Sequence, residues 1–233
     1  MTAVNVKKLK EQVCAANLEL VAHKLVVFTW GNVSQIDRSS GLVAIKPSGV
    51  SYEALSPDDI VVLDLNGRIV EGSLRPSSDT PTHLELYRQF TGIGGITHTH
   101  SRYATMWAQA CKDLPCFGTT HADHFYGAVP VTEVMSDPQI QSDYELNTGK
   151  VIVRRFAGID PMQMPAVLVA NHGPFTWGRD AHESVKNAVV LEECAQMAMG
   201  TLTISPQQPV IKQTLLDKHY LRKHGENAYY GQA

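Results

Sequence analysis

His98 and His100, separated by one threonine in Thr97-His98-Thr99-His100, are the residues of this 233-residue sequence that point most directly to chemistry. On an extended strand, residues two apart project to the same face, so the two imidazoles stand side by side. On a helix the same spacing sends them to nearly opposite sides. A third histidine, His172, ends the apolar run Ala166–Asn171 and is followed at once by Gly173-Pro174, where a strand runs out. Three histidines around an open position form the catalytic type of zinc site, whereas structural zinc sites are closed and often rich in thiolate. An isolated HxH arises readily by chance, and it is His172 in its turn that lifts the metal reading above that level. A carboxylate would complete the set, and Asp79 or Asp123 would serve. The expected ion is Zn2+, with Mn2+ or Co2+ as substitutes.

Three short segments look built to hold an anion: Trp30-Gly31-Asn32-Val33-Ser34, Lys46-Pro47-Ser48-Gly49, and Pro76-Ser77-Ser78-Asp79 ahead of a helix opened by Thr80-Pro81. Glycines and small side chains let backbone amides approach an oxyanion, and the start of a helix beside Ser77 and Ser78 favours phosphate. Singly each is an ordinary turn; next to a metal site they suggest a phosphate. None is a Walker or dinucleotide fingerprint, and Gly92-Ile93-Gly94-Gly95 precedes its strand instead of following it. Lys46, at a strand end, has the chemistry for a Schiff base, although its neighbours favour a phosphate or hydroxyl contact. Thr119-Thr120-His121-Ala122-Asp123-His124 gathers polar groups between apolar stretches, either as a capped turn or with Asp123 as an acid or base. In the last helix His219 and Arg222 are three apart and share a face. The tail Ala228–Ala233 carries two tyrosines, which suits packing against another surface such as a neighbouring subunit.

The elements that must position these groups follow from hydrophobic spacing. Leu9, Val13, Ala16 and Leu20 predict a helix over Val6–Ala22. Strands are expected at Leu25–Thr29, Leu42–Lys46, Ile60–Leu65, Arg68–Glu71, Gly94–His100, Ala166–Asn171 and Pro174–Trp177. Further helices are expected from Thr80 to Phe90, from Ser101 to Ala110, from Asp180 to Met199, and from Val210 to His224 with Gly225 as its stop. Clustered as well as alternating strands predict an α/β fold, a single domain over 1–233 with a mixed, largely antiparallel sheet. A net charge of −3 and basic residues in scattered pairs argue against a nucleic-acid partner. No apolar run suits a membrane span or signal peptide, and four cysteines without CxxC spacing read as reduced thiols, so a cytoplasmic protein is expected.

Together these segments resemble the class II aldolase/adducin family, and within it the pentulose-phosphate 4-epimerases. The resemblance runs through Thr29-Trp30-Gly31-Asn32-Val33-Ser34, Ile45-Lys46-Pro47-Ser48-Gly49-Val50 and Pro76-Ser77-Ser78-Asp79-Thr80. It continues in Thr97–Ser101, Gly118–Asp123, His172-Gly173-Pro174-Phe175, Lys218–Gly225 and Ala228–Gln232, and so covers nearly the whole chain. It implies an α/β/α sandwich and a zinc site of His98, His100, His172 and Asp79. It implies that Gly31, Asn32, Ser48, Gly49, Ser77 and Ser78 hold a sugar phosphate, with Lys46 nearby. Asp123 and Tyr230 would be the acid/base pair, offered to the site of an adjacent subunit in a cyclic (C4) homotetramer, with Thr119, His219 and Arg222 close to them. The family's aldolases are similar to one another in placing a glutamate acid/base where this chain has Asp79. The shorter carboxylate suits ligation, and hence an epimerase. The intact histidines argue against an adducin-like structural module. His124, Asn171 and a shortened loop at Arg154–Pro161 depart from the family's pattern.

Overall fold

The computed structural model describes residues 5–226 and 228–229. Its frame is one sheet of seven strands: β1 (Asn32–Asp37), β2 (Leu42–Ile45), β3 (Val61–Leu63), β4 (Ile69–Glu71), β5 (Gly95–His98), β6 (Ala166–Leu168) and β7 (Pro174–Gly178). They lie in the order β4-β3-β2-β1-β5-β7-β6, and every neighbouring pair is antiparallel. The expected α/β class and antiparallel bias are therefore what the chain adopts.

Side chains alternate across this sheet, and each face buries its own helices. On one face Val33 packs with Ala16 and Leu20 of α1 (Val6–Ala22) and with Ala181, Val185 and Ala188 of α7 (Ala181–Ile204). On the other, Ile36, Val43, Ile96, Phe175 and Trp177 pack with Leu84 and Tyr87 of α2 (Thr80–Gln89) and Ile152 of α6 (Tyr144–Arg155). The remaining described helices are α3 (Arg102–Gln109), the short α4 (Thr119–Ala122) and α5 (Asp137–Gln141), and α8 (Gln213–His224). The described cysteines are all free, and no described helix is long and apolar enough to cross a membrane.

Several boundaries differ from the sequence expectation. Leu25–Thr29 is not a strand: the chain leaves α1 through Lys24 at φ 58° and turns again through Phe28 at φ 55°, and Leu25 is apolar because it packs under α1 and α7. The first strand instead begins at Asn32, inside the segment expected to be a loop. The strand at Gly94–His100 ends at His98, beyond which Ser101 caps α3. Residues 210–212 are extended because the Ile211 amide donates to the Cys116 carbonyl, so the last helix starts at Gln213. Helices α4, α5 and α6 lie outside the sequence expectation; the β-branched run Val151-Ile152-Val153 obscures the helical period of α6.

Two glycines let α7 approach the sheet. A Cβ on Gly94 would lie 1.9 Å from the Arg179 carbonyl oxygen, and one on Gly95 would lie 2.2 Å from that of Asp180. Both obstacles are backbone. Gly95→Ala is expected to lower stability by about 3 kcal/mol, the upper end of ordinary overpacking, in urea denaturation. A loss under about 1 kcal/mol would show that α7 can retreat from the strand.

Buried imidazoles give a second expectation. Burial pulls the pKa of His83 down to about 3 and that of His121 to about 4, from an ordinary 6.5. Below pH 6.5 the unfolded chain therefore binds more protons than the folded one, and stability falls as pH drops from 6.5 toward 4. Melts of chelator-treated protein across that range should show the decline. A flat profile would mean that these rings gain protons without unfolding.

Candidate metal centre

The register of three strands builds the first wall. Asn32 on β1 faces His98 on β5, which in turn faces Phe175 on β7. The Phe175 ring stacks on His98 with centroids 4.2 Å apart and planes 17° from parallel. The Pro174 carbonyl, 2.9 Å from His98 Nδ1, can only accept, so Nδ1 carries a proton. His98 Nε2 is the nitrogen turned toward the other rings, 3.2 Å from His100 Nε2. His172 arrives from the β6–β7 turn, where Asn171 takes the left-handed conformation (φ 61°) that asparagine tolerates. Gly173 allows that turn to close, because a Cβ there would lie 2.8 Å from the Thr99 carbonyl oxygen.

One ring nitrogen from each of His98, His100 and His172 falls within 4.8 Å of the others. Burial, then His98, lowers the pKa of His100; burial, then His98 and His100, takes His172 to about 3. His100 and His172 thus resist protonation, and with His98 they turn ring nitrogens toward one point, the donor set a transition-metal cation takes. The Pro174 carbonyl on the far nitrogen of His98 is the outer-shell partner that fixes a ligating tautomer. The triad therefore fits a divalent metal.

Asp79 stands at the N-cap of α2 but caps nothing with its side chain. Its Oδ2 instead accepts from Asn32 Nδ2 at 2.7 Å, and the same amide reaches Ser77 Oγ at 3.0 Å. Burial raises the pKa of this carboxyl, and nearby His98 and His83 together with the Asn32 amide more than offset it, leaving the group below the usual carboxylate range. Asp79 is thus an anion next to the histidines, although it lies outside their 4.8 Å cluster.

The opposite wall is made by two serine loops tied together. The Ser77 amide donates to the Lys46 carbonyl at 3.0 Å and the Ser48 amide to the Arg75 carbonyl at 2.9 Å, while Pro47 bridges Pro76. Those two amides are committed, so an anion here would meet hydroxyls and neighbouring amides. Gly31, at φ 84°, passes so close to β5 that a Cβ would sit 2.8 Å from the His98 carbonyl oxygen. Lys46 is only 2% exposed, and its ammonium donates to the Val50 carbonyl at 2.6 Å and lies 4.9 Å from the Tyr52 ring centre. Burial lowers its pKa. Its contacts make it a clamp on the loop as well as part of the wall.

All of the anion-loop and metal residues named from sequence (Gly31, Asn32, Lys46, Ser48, Gly49 and Ser77, then Ser78, Asp79, His98, His100 and His172) line one cavity of about 630 Å³. Sequence reasoning missed Tyr144 and Glu145 on the same wall, because the helix that carries them was not recognised. The Tyr144 hydroxyl lies 3.5 Å from His172 Nδ1.

The other expected residues gather elsewhere. Asp123, the C-cap of α4, accepts from Arg222 at 3.0 Å and from His219 at 3.1 Å, with Lys223 3.4 Å away. Burial raises its pKa, but Arg222 and His219 outweigh that and hold the carboxyl below its ordinary range. Thr119 opens the same short helix, and its carbonyl accepts from the Asp123 amide at 2.9 Å. Neither Asp123 nor Thr119, His219 or Arg222 lines the histidine cavity. Tyr230 lies outside the described residues.

Known proteins share this architecture. A solved L-fuculose 1-phosphate aldolase is 29% identical, with a TM-score of 0.75 over 91% of this chain and 94% of that one. YgbL from Klebsiella pneumoniae, for which aldolase, epimerase and decarboxylase activities are all entertained, is 22% identical (TM-score 0.71; 93% and 99% covered). L-fuculose 1-phosphate aldolase from Glaciozyma antarctica PI12 is 18% identical (TM-score 0.77; 98% and 88% covered). The family model described as Class II Aldolase and Adducin N-terminal domain matches residues 11–199, most of the chain and all of the histidine cavity, and the chain belongs to that family.

Proposed function

We propose that this chain is a zinc-dependent 4-epimerase interconverting L-ribulose 5-phosphate and D-xylulose 5-phosphate, assembled as a cyclic homotetramer. The observation that carries the reading is a single cavity with three clustered imidazoles and a short carboxylate on one side and paired serine loops on the other. That arrangement suits a substrate carrying vicinal oxygens at one end and a phosphate at the other.

The two sugars differ only at C4, whose proton is not acidic because C4 is not adjacent to the C2 carbonyl. Breaking the C3–C4 bond avoids that barrier. A base removes the C4 hydroxyl proton, C4 becomes an aldehyde, and the bonding pair passes to the C2–C3 fragment. A divalent metal held by His98, His100, His172 and Asp79 supplies Lewis-acid stabilisation of the charge that develops on the C2 and C3 oxygens. The serine loops retain the glycolaldehyde phosphate while its aldehyde turns, and the bond re-forms on the other face. One proton-transfer group is needed for each face, the roles assigned to Asp123 and Tyr230. Against burial, Arg222 and His219 hold the Asp123 carboxyl below its ordinary range, so it is present as the carboxylate that a base must be. Its separation from the cavity supports delivery to a neighbouring subunit's site.

The similarity to an L-fuculose 1-phosphate aldolase favours a second reading, a sugar-phosphate aldolase that releases its fragments. A coupled assay separates the two: formation of D-xylulose 5-phosphate from L-ribulose 5-phosphate supports the epimerase, and free dihydroxyacetone with glycolaldehyde phosphate supports the aldolase. Asp79→Asn is expected to lower both zinc affinity and turnover. A lower rate at unchanged affinity would make Asp79 a proton-transfer group and favour the aldolase.

Asp123→Asn and Tyr230→Phe should each cost about 100- to 10,000-fold in turnover while keeping zinc. Complementation tests the shared site. Asp123→Asn subunits keep their metal ligands, and His98→Asn subunits keep Asp123 and Tyr230. Refolded together, the two inactive variants should regain activity in a minority of sites, because each subunit of a ring gives to one neighbour and receives from the other. Mixed rings confirmed by mass spectrometry but inactive would refute the shared site.

A further inference from the structure

Trp30 is the largest side chain on the wall of the histidine cavity, yet 53% of it is exposed. Most of its neighbours on that wall are glycines, serines, carboxylates and imidazoles. A large apolar ring left half in water forgoes burial that would stabilise the chain, so core packing does not account for its place. The backbone is also strained to put it there. Phe28 takes φ 55°, an outlier for a bulky residue, and the Trp30 amide then closes the turn by donating to the Val27 carbonyl at 3.1 Å. The Phe28 ring meets the indole edge-on, with centroids 6.0 Å apart and planes at 73°.

This turn ties the indole to both ends of the cavity. At the metal end its ring lies 6.3 Å from the ring of His100. At the loop end the buried Tyr52 hydroxyl donates to the Trp30 carbonyl at 3.1 Å and to the Gly31 carbonyl at 2.9 Å. The Tyr52 ring in turn lies against the Lys46 ammonium, which holds the Val50 carbonyl of the same loop. A sugar phosphate with its carbonyl end at the histidines and its phosphate at the serine loops would therefore pass C4 and C5 along the indole.

Those are the carbons whose fate separates an epimerase from an aldolase. Once C3–C4 is broken, the aldehyde fragment either turns and is recaptured or escapes. Escape, with the enediolate taking a proton from water, gives dihydroxyacetone and glycolaldehyde phosphate. We propose that Trp30 is a specificity-determining residue that retains the aldehyde fragment: its indole walls the cavity off from solvent between the histidines and the serine loops. The flat apolar face suits that task, because it excludes water and offers no strong hydrogen bond to fix the aldehyde in one orientation.

Retention rests on the epimerase reading above, so the products of the wild type are measured first. Failure of the wild type to form D-xylulose 5-phosphate would remove that reading and the retention role with it. Where the wild type epimerises, Trp30→Ala should release roughly 4- to 15-fold more free dihydroxyacetone and glycolaldehyde phosphate per epimerisation, the retention that one or two buried CH2 groups supply. Calorimetry with glycolaldehyde phosphate on the zinc-loaded chain should show affinity weakened by a similar factor. Zinc affinity itself should stay at the wild-type value, because an indole is not a ligand. Trp30→Leu, a smaller apolar wall, should fall between. An unchanged product ratio or an unchanged affinity for glycolaldehyde phosphate in Trp30→Ala would overturn the proposal. So would a changed ratio that follows loss of zinc or a change in oligomeric mass, the latter making the indole a contact between copies. Should Trp30→Ala not fold, Trp30→Leu reads the same ratio, and wild-type partition there overturns the role.

Discussion

The histidine centre depends on β5 being hydrogen-bonded on both sides. Because Asn32, His98 and Phe175 occupy one row across β1, β5 and β7, a single register sets the positions of a carboxylate holder, an imidazole and the ring stacked on it. The row below it holds Ser34, Ile96 and Trp177, and there Ser34 connects the sheet to His83 and Tyr87 of α2. A one-residue slip of β5 would turn His98 toward α7 and bring Thr97 into the cavity, since strand side chains alternate. Strand pairing is therefore what specifies the site, and the glycines at Gly94 and Gly95 protect that pairing by letting α7 lie flat against it.

Electrostatics divide the candidate residues into two groups with opposite character. At the histidine cavity, burial lowers the pKa values of His100 and His172, and the Asp79 carboxylate stands beside them. Around Asp123 the balance is reversed, with Arg222, Lys223 and His219 gathered on one carboxylate. Against burial, Arg222 and His219 hold that carboxyl below its ordinary range. The two groups of residues therefore lie on separate parts of the chain, one around the histidine cavity and one around Asp123.

Much of this was legible in the sequence, for identifiable reasons. The HxH spacing, the turn at His172 and the serine loops are local signals, and the structure gathers all of them around one cavity. The class of fold followed from clustered strands. What could not be read was set by distant contacts. Leu25–Thr29 has strand-like residues but serves as a packed turn, and residues 210–212 are held extended by Cys116, far away in sequence. Tyr144 and Glu145 were missed because their helix has a β-branched interior whose helicity comes from packing on α2. Nothing in the helical spacing singles out His83, and only the fold shows it buried with Nε2 unpartnered among the described residues.

The length of the carboxylate at position 79 links fold to chemistry. Asp79 is held by Asn32 of the sheet and begins α2, so its reach is limited to one methylene from a fixed backbone. A residue that must ferry protons to a substrate gains from reach, whereas a ligand gains from being immobile. The surroundings here favour immobility: Asn32 is 3% exposed, its amide is shared between Asp79 and Ser77, and His83 lies beneath. Proton transfer is then left to other residues of the chain, and Asp123 lies apart from this cavity. A short carboxylate clamped in this way suits a ligand better than a proton carrier, which is the chemical consequence of its fixed place in the fold.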